Sequence, residues 1–259
     1  MDLGLKGRVA LVTAASKGMG RACALGLAAE GARVGICARS EGDLKAAAEE
    51  IRAKTKVDVF AMPCDVTRPA EVAELVRRAT DALGGIDILV ANAGGPPRGD
   101  FDEMSDEEWA KAFELSLLSV VRLIRAVLPS MRRRKWGRII TIQSSSVKQP
   151  IPGLLLSNAV RPGVAGLMKT LAADLGKDNI LVNTVCPGRI MTDRFLSGHT
   201  QSGKTVEEYL ALTSKEVPLG RIGTPEEFAS MVVFLASERA SYVTGLTVQV
   251  DGGLVRGLL

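Results

Sequence analysis

The side chains with most chemistry to offer lie within one eighteen-residue stretch that contains Ser144, Ser157 and Arg161. Ser157 and Arg161 are four residues apart, the spacing that sets two side chains on one face of a helix. Their chemistry is donation: hydroxyls, and a guanidinium that keeps its charge and can grip an oxygen or a carboxylate. Pro162 bears on that geometry, because a proline inside a helix removes a donor and kinks the axis. A helix beginning near Pro162 instead would carry both side chains elsewhere. A second concentration lies upstream, in Thr13-Ala14-Ala15-Ser16-Lys17-Gly18-Met19-Gly20. Gly18 and Gly20 would let the backbone approach a pyrophosphate, and a helix opening there would offer free N–H groups and partial positive charge. A lone glycine turn is a weak signal, since ordinary strand-to-helix turns also use glycine.

The elements that must position these residues alternate. Short apolar β-like runs occur at Val9–Thr13, Arg33–Cys37, Val57–Ala61, Ile86–Ala91, Ile139–Ile142 and Ile180–Val185, with helical patterns between them. Val72, Leu75, Val76, Ala79 and Leu83 make one helical apolar stripe. Ser105 with Glu108 predicts a capping box, and Thr224, Pro225 and Glu227 supply an N-cap, a first-turn proline and its partner. Nearly all-apolar strands alternating with helices predict a parallel sheet covered on both faces. In such a sheet the ligand crevice lies outside the carboxyl ends of the strands. There stand the glycine turn, Arg39, Asp65, Asn92-Ala93-Gly94, Ser144 and Pro187-Gly188.

The chain has 259 residues, which suits one large α/β domain. Hydrophobic residues at 46% and charged residues at 24% match a globular protein that buries a core, and exclude a disordered or fibrous one. The net charge of +4 is mild, and its densest piece, Arg132-Arg133-Arg134-Lys135, is predicted to be a solvated turn, not a nucleic-acid patch. The four cysteines form no C-x-x-C pair, no metal ligand set is assigned, and a reduced cytoplasmic setting is expected. No apolar h-region or membrane-length run is found, so neither export nor a membrane partner is expected.

On these motifs the chain resembles the short-chain dehydrogenase/reductase family, and within it the 3-oxoacyl-acyl-carrier-protein reductases. The family's T-G-x-x-x-G-x-G loop matches Thr13 to Gly20, its N-A-G matches Asn92-Ala93-Gly94, and its P-G matches Pro187-Gly188. Gly137 to Ile142, Pro218 to Arg221 and Asp251-Gly252-Gly253 are further family-like stretches. The resemblance implies a single-domain Rossmann fold, a doubly wound parallel sheet of about seven strands with helices on both faces. It implies cofactor contacts from Thr13, Ser16, Lys17, Gly18, Met19, Gly20, Arg39, Asp65, Val66, Asn92, Ala93, Gly94, Arg161, Pro187, Gly188, Ile190 and Thr192. Ala14 departs from the family's glycine, which matters if that position needs a positive φ. No carboxylate ends the second strand; Lys17 and Arg39 stand where a 2′-phosphate would need cations, so NADP(H) is expected in preference to NAD(H).

In the family an Asn, Ser, Tyr, Lys tetrad carries the chemistry, the tyrosine protonating the carbonyl oxygen as hydride arrives. By ungapped counting, Ser116 falls at the asparagine, Ser144 at the serine, Ser157 at the tyrosine and Arg161 at the lysine. A serine hydroxyl is a far weaker acid than a tyrosine of pKa about 10, so Ser157 cannot simply substitute. His199, Tyr209, Lys148 and Cys186 are other candidates for a role in the site. The Arg194–Pro218 segment corresponds to the family's substrate lid, and Arg194, Lys204 and Lys215 could favour an anionic carrier or carboxylate. The resemblance also implies a homo-oligomer, tetramer or dimer, built through helices near Asp106–Met131 and Leu154–Gly176 and an apolar Val243–Leu259 segment. The expected substrate is a small-molecule carbonyl or alcohol, free or carrier-linked. The leading reading is an atypical oxidoreductase; the alternative is a dinucleotide-binding protein that has lost catalysis, a sensor or inactive subunit. A reaction needing no tyrosine acid stays open beside them.

Overall fold

A computed structural model describes residues 1–258, without the side chain of Gln201. The strands β1 (Val9–Thr13), β2 (Arg33–Ala38), β3 (Val59–Pro63), β4 (Ile88–Ala91), β5 (Gly137–Ile142), β6 (Ile180–Pro187) and β7 (Thr247–Val250) form one parallel sheet. Its order is β3-β2-β1-β4-β5-β6-β7, so the strand order reverses between β1 and β4 and opens a crevice at their carboxyl ends.

Around it lie α1 (Gly18–Ala29), α2 (Glu41–Thr55), α3 (Pro69–Leu83), α4 (Asp106–Phe113), α5 (Ser119–Arg134), α6 (Leu155–Leu175), α7 (Asp193–Leu196), α8 (Gly198–Ser202), α9 (Val206–Lys215) and α10 (Pro225–Ala236). Successive strand side chains point to opposite faces, and each face has a cover. Ala10, Val12, Ile36 and Val90 pack on one side with Leu27, Ile51 and Phe228 from α1, α2 and α10. Leu11, Leu89, Ile139 and Val182 pack on the other with Leu75, Leu123, Val127, Val164 and Met168 from α3, α5 and α6. This is the single Rossmann-type α/β domain that the alternation predicts.

Boundaries moved where pairing, not apolarity, sets them. β3 begins at Val59 and runs to Pro63, which pairs with Ala38. It is an edge strand, where a proline without N–H is tolerated. Both capping boxes form, at Ser105–Glu108 and Thr224–Glu227. The long helix from Asp106 holds a π-helical turn at Glu114–Leu118 between α4 and α5.

A helix starting at Pro162 is overturned: α6 begins at Leu155 and Pro162 lies inside it. Buried Leu156, Val160, Val164 and Met168, four residues apart, hold the helix through the missing N–H. Asn158 also clamps the entry, its side chain accepting from Ile151 N at 3.1 Å and donating to Ile151 O at 2.9 Å. The basic run is tied down by acids: Arg134 pairs with Asp87, and Arg132 and Lys135 with Asp178. No helix among the described residues is long and apolar enough to cross a membrane. Leu259 lies outside the described residues.

Candidate active site

The turn from β1 into α1 is a backbone cradle. Gly18 has a φ of +55°, and a Cβ at Gly20 would lie 2.4 Å from the Ala14 carbonyl oxygen and 2.9 Å from Asn92 Nδ2. Neither position has room for another residue without a shift. Ala14 adopts a φ of +48°, so this position does need a left-handed backbone, and an alanine supplies it. Its neighbours over-determine the conformation: Ala15 N donates to Cys37 O at 3.0 Å, and Asn92 Nδ2 to Ala14 O at 3.3 Å. Thr13 locks the turn to the β4 end by donating from Oγ1 to Asn92 O and accepting from Asn92 N. No acid occupies the first turn of α1, so its N–H groups and dipole stay available to an anion. The cradle, the switch point and the adjoining residues fit the pyrophosphate of a dinucleotide.

On the flank of the cradle, Lys17 is exposed and pairs with Asp43 at 3.0 Å. The hydrogen bond from Lys17 holds the Asp43 carboxyl below its usual range. Arg39 is exposed beside Asp65, whose Oδ1 accepts from the Thr67 backbone and hydroxyl. Val66 follows, buried.

Next to the cradle opens a cavity of about 340 Å³. It gathers Met19, Asn92, Ala93, Gly94, Ser144, Ser157, Arg161, Pro187, Gly188, Ile190 and Thr192 from the sequence-predicted set. Thr13, Ser16, Lys17, Gly18, Gly20, Arg39, Asp65 and Val66 surround the turn outside that lining. Ser116 does not join it. It sits in the π-helical turn, 2% exposed, its hydroxyl without a partner, so the register that assigns it to the tetrad brings no polar group into the cavity.

α6 delivers Ser157 and Arg161 on one face, as their spacing predicts. Ser157 Oγ lies 3.0 Å from Ser146 Oγ, and Ser144 Oγ accepts from Ser146 N at 3.1 Å. Arg161 is only 6% exposed, and among the described residues no carboxylate forms an ion pair with it. Its Nη1 donates to Gln143 Oε1 at 3.0 Å and its Nη2 to Gly94 O at 3.4 Å. Burial, then the neighbouring charge of Arg194, lowers its pKa to about 10, so it remains a cation at neutral pH. Sequence reasoning missed Gln143 and Ser146, which orient these groups; their adjacency to Ser144, just after β5, was the available signal.

The other candidates are elsewhere. His199 bonds to Lys204 O and Thr200, Tyr209 stacks on Phe195 with centroids 5.3 Å apart, and neither lines the cavity. Lys148 and Cys186 are outside it too; Cys186 is fully buried and desolvation pushes its thiol up to about 11. Lys204 and Lys215 of the lid stay away from the cavity, whereas Arg194, Phe195 and Glu216, at the two ends of that segment, line it. Arg98, from the Gly- and Pro-rich loop after β4, is a further lining cation that the sequence reading did not single out.

A family model described as enoyl-(acyl carrier protein) reductase matches residues 13–255. The chain is 38% identical to the 3-oxoacyl-acyl-carrier-protein reductase FabG of Vibrio cholerae, over 97% of this chain and 99% of that one. It is 38% identical to FabG of Escherichia coli, again over 97% and 99%. Among solved structures it is similar to the L-sorbose reductase of Gluconobacter frateurii complexed with NADPH and L-sorbose, with a TM-score of 0.96, 37% identity and 100% of each chain covered. An actinorhodin polyketide ketoreductase with NADPH matches with a TM-score of 0.93 and 36% identity, over 96% of this chain and 98% of that one.

Proposed function

Because the chain belongs to the short-chain dehydrogenase/reductase family, we propose that it is an NADP(H)-dependent oxidoreductase that interconverts a carbonyl and an alcohol without the family's tyrosine. One observation carries this reading: a buried, charged Arg161 opens beside Ser144 into the cavity that adjoins the dinucleotide cradle. The cradle would hold the pyrophosphate, with Lys17 and Arg39 on the side where a 2′-phosphate adds charge. Asp43, already paired with Lys17, is the internal competitor that the phosphate must displace.

When bound, the reduced nicotinamide supplies hydride. Gln143 and Gly94 O fix Arg161 through two of its N–H groups, which leaves the others for ribose or for a substrate oxygen. Ser144 Oγ already accepts from Ser146 N, so its own proton is free to be donated to the same oxygen. Together they stabilise charge as it develops on that oxygen, in a site partly shielded from water. Arg161 keeps its proton at neutral pH, and the oxygen takes one from solvent entering the cavity.

A second reading, a dinucleotide-binding protein without catalysis, is favoured by the absence of Tyr, His, Lys and Cys from the cavity lining. The two part in one experiment: nucleotide fluorescence titration with NADPH and NADH, then turnover across carbonyls and alcohols. Tighter NADPH binding with turnover lost in Ser144→Ala supports the enzyme; tight binding with null turnover supports the binder. NADH binding as tight as NADPH sinks the cofactor preference. The family resemblance, exposed Phe101 and Phe113, and the half-buried β7 edge support a homo-oligomer in the cytoplasm, and light scattering that reports a monomer would refute the assembly.

A further inference from the structure

Four arginines and one carboxylate line the cavity: Arg98, Arg161, Arg189, Arg194 and Glu216. Arg189 is satisfied, with Nε 3.2 Å and Nη2 2.5 Å from Glu216 Oε2. Among the described residues no ion pair engages the other three. They are close enough to repel in series, Arg161 feeling Arg194 and Arg194 feeling Arg98. Arg161 is buried whereas Arg98 and Arg194 stay open to solvent, and the three without a counter-charge make a positive concavity that draws an anion in.

Their positions are built. Thr192 caps α7, its Oγ1 accepting from Phe195 N at 3.2 Å, and so aims Arg194 back across the β4 loop. The Arg194 Nη2 donates to Pro96 O at 3.0 Å and lies over Gly95, where a Cβ would come within 2.5 Å of it, so a larger residue there would push the guanidinium aside. Arg98 is anchored by its neighbour: Gly99 N donates to Gly153 O at 3.1 Å, and Gly99 pairs with Leu154 at the entry to α6. The wall between is apolar, with Pro150, Ile151, Phe195 and Leu254, which suits a short carbon skeleton.

We propose that Arg98 and Arg194 clamp the carboxylate of a small oxo- or hydroxy-acid substrate, holding its carbonyl carbon toward Ser144 and Arg161. The proposal rests on the oxidoreductase reading for its reaction but not for its binding. The same cations would also suit a dinucleotide phosphate, and the test separates the two sources.

The full chain is assayed with NADPH on 3-oxobutanoate and 4-oxopentanoate and on their methyl esters, as wild type, Arg98→Gln, Arg194→Gln and the double variant. The acids are expected to exceed the esters in kcat/KM by about tenfold, since two guanidiniums that can each donate to a carboxylate favour it over the uncharged analogue even where they are open to solvent. In the double variant that ratio collapses toward unity while the NADPH Kd moves by less than about twofold. Esters that match the acids in the wild type overturn the proposal. So does a double variant that weakens NADPH and keeps the ratio, which assigns the arginines to the dinucleotide. If nothing is turned over, the oxidoreductase reading fails by itself, and calorimetry of the NADP⁺-loaded protein with 4-oxopentanoate decides the clamp. Binding of the acid but not the ester, lost in the double variant, sustains it; no binding to the wild type ends it.

Discussion

At the β1–β4 end of the cavity the proposed binding falls to the backbone, and at the β5–α6 end the proposed chemistry falls to side chains. The difference explains why one end tolerates substitution and the other is transformed by it. Ala14 replaces a glycine of the family loop, yet the turn keeps its left-handed φ because Ala15 N, Asn92 Nδ2 and the Thr13 hydroxyl hold the surrounding amides. On the proposed reading Ser157 and Arg161 stand in for a tyrosine and a lysine, and no hydrogen bond can give a serine the acidity of a phenol. A glycine loop asks for space and N–H direction, which many sequences supply. A proton donor asks for one pKa at one atom.

The sharpest way to break that contrast is to return the missing chemistry. Ser157→Tyr combined with Arg161→Lys is expected to raise carbonyl reduction by about 10² to 10⁴, the usual worth of a positioned general acid. Unchanged turnover with NADPH binding intact would mean that the cavity does not present carbonyls to residue 157. Conversely, Arg161→Met should lower kcat by about 10² to 10³, the cost of losing a charged donor at a developing oxyanion. The same variant should raise the melting temperature of the cofactor-free protein, because it removes a desolvated cation that no acid pairs. In the parent, activity that needs the Arg161 cation should stay flat through neutral pH. It should then fall as pH rises through about 10, where burial and Arg194 place the pKa of this base below its usual value. A bend near neutrality would point to a titrating group outside the cavity lining.

How much of this was legible follows the same division. The residues after each strand come to one edge of the sheet because the strands are parallel, and the order β3-β2-β1-β4-β5-β6-β7 opens a crevice there. The four-residue spacing of Ser157 and Arg161 survives because α6 runs through Pro162. Ser116 lies buried in a π-helical turn outside the cavity lining, and nothing in Glu114–Leu118 announces that turn. Gln143, Gly95 and Arg98 are ordinary in sequence and stand out only once folding brings Arg161 to Gln143, Arg194 to Gly95 and Arg98 into the cavity lining.

At the cradle the effects should be smaller and mostly energetic. Gly20→Val is expected to weaken NADPH binding and to cost about 1–3 kcal/mol of stability, since its Cβ meets the Ala14 carbonyl; unaltered denaturation and titration curves would contradict the cradle geometry. Asp43→Asn should free Lys17 and tighten NADPH, while Lys17→Ala loosens it, each by about tenfold at most, as for exposed pairs worth about 1 kcal/mol. NADH affinity should barely respond; an equal response would remove Lys17 from the 2′-phosphate. Smallest of all, Ala14→Gly should stabilise the chain by about 1 kcal/mol or less without changing nucleotide affinity, because the about 1–2 kcal/mol of left-handed strain it relieves is offset in part by glycine's greater freedom in the unfolded chain.

The sequence by itself determined the α/β class, the parallel sheet and the edge at which function gathers, because apolar periodicity and glycine placement are local signals that the chain carries in order. It also places Ser157 where the resemblance puts the family's tyrosine. Tertiary structure alone decided that Ser116 stays out of the cavity, that Gln143 and Gly94 O hold the buried Arg161, and that Arg98 and Arg194 line the same cavity. These depend on the distance between separate segments and on how far each charge is removed from water, quantities that exist only once the sheet has assembled.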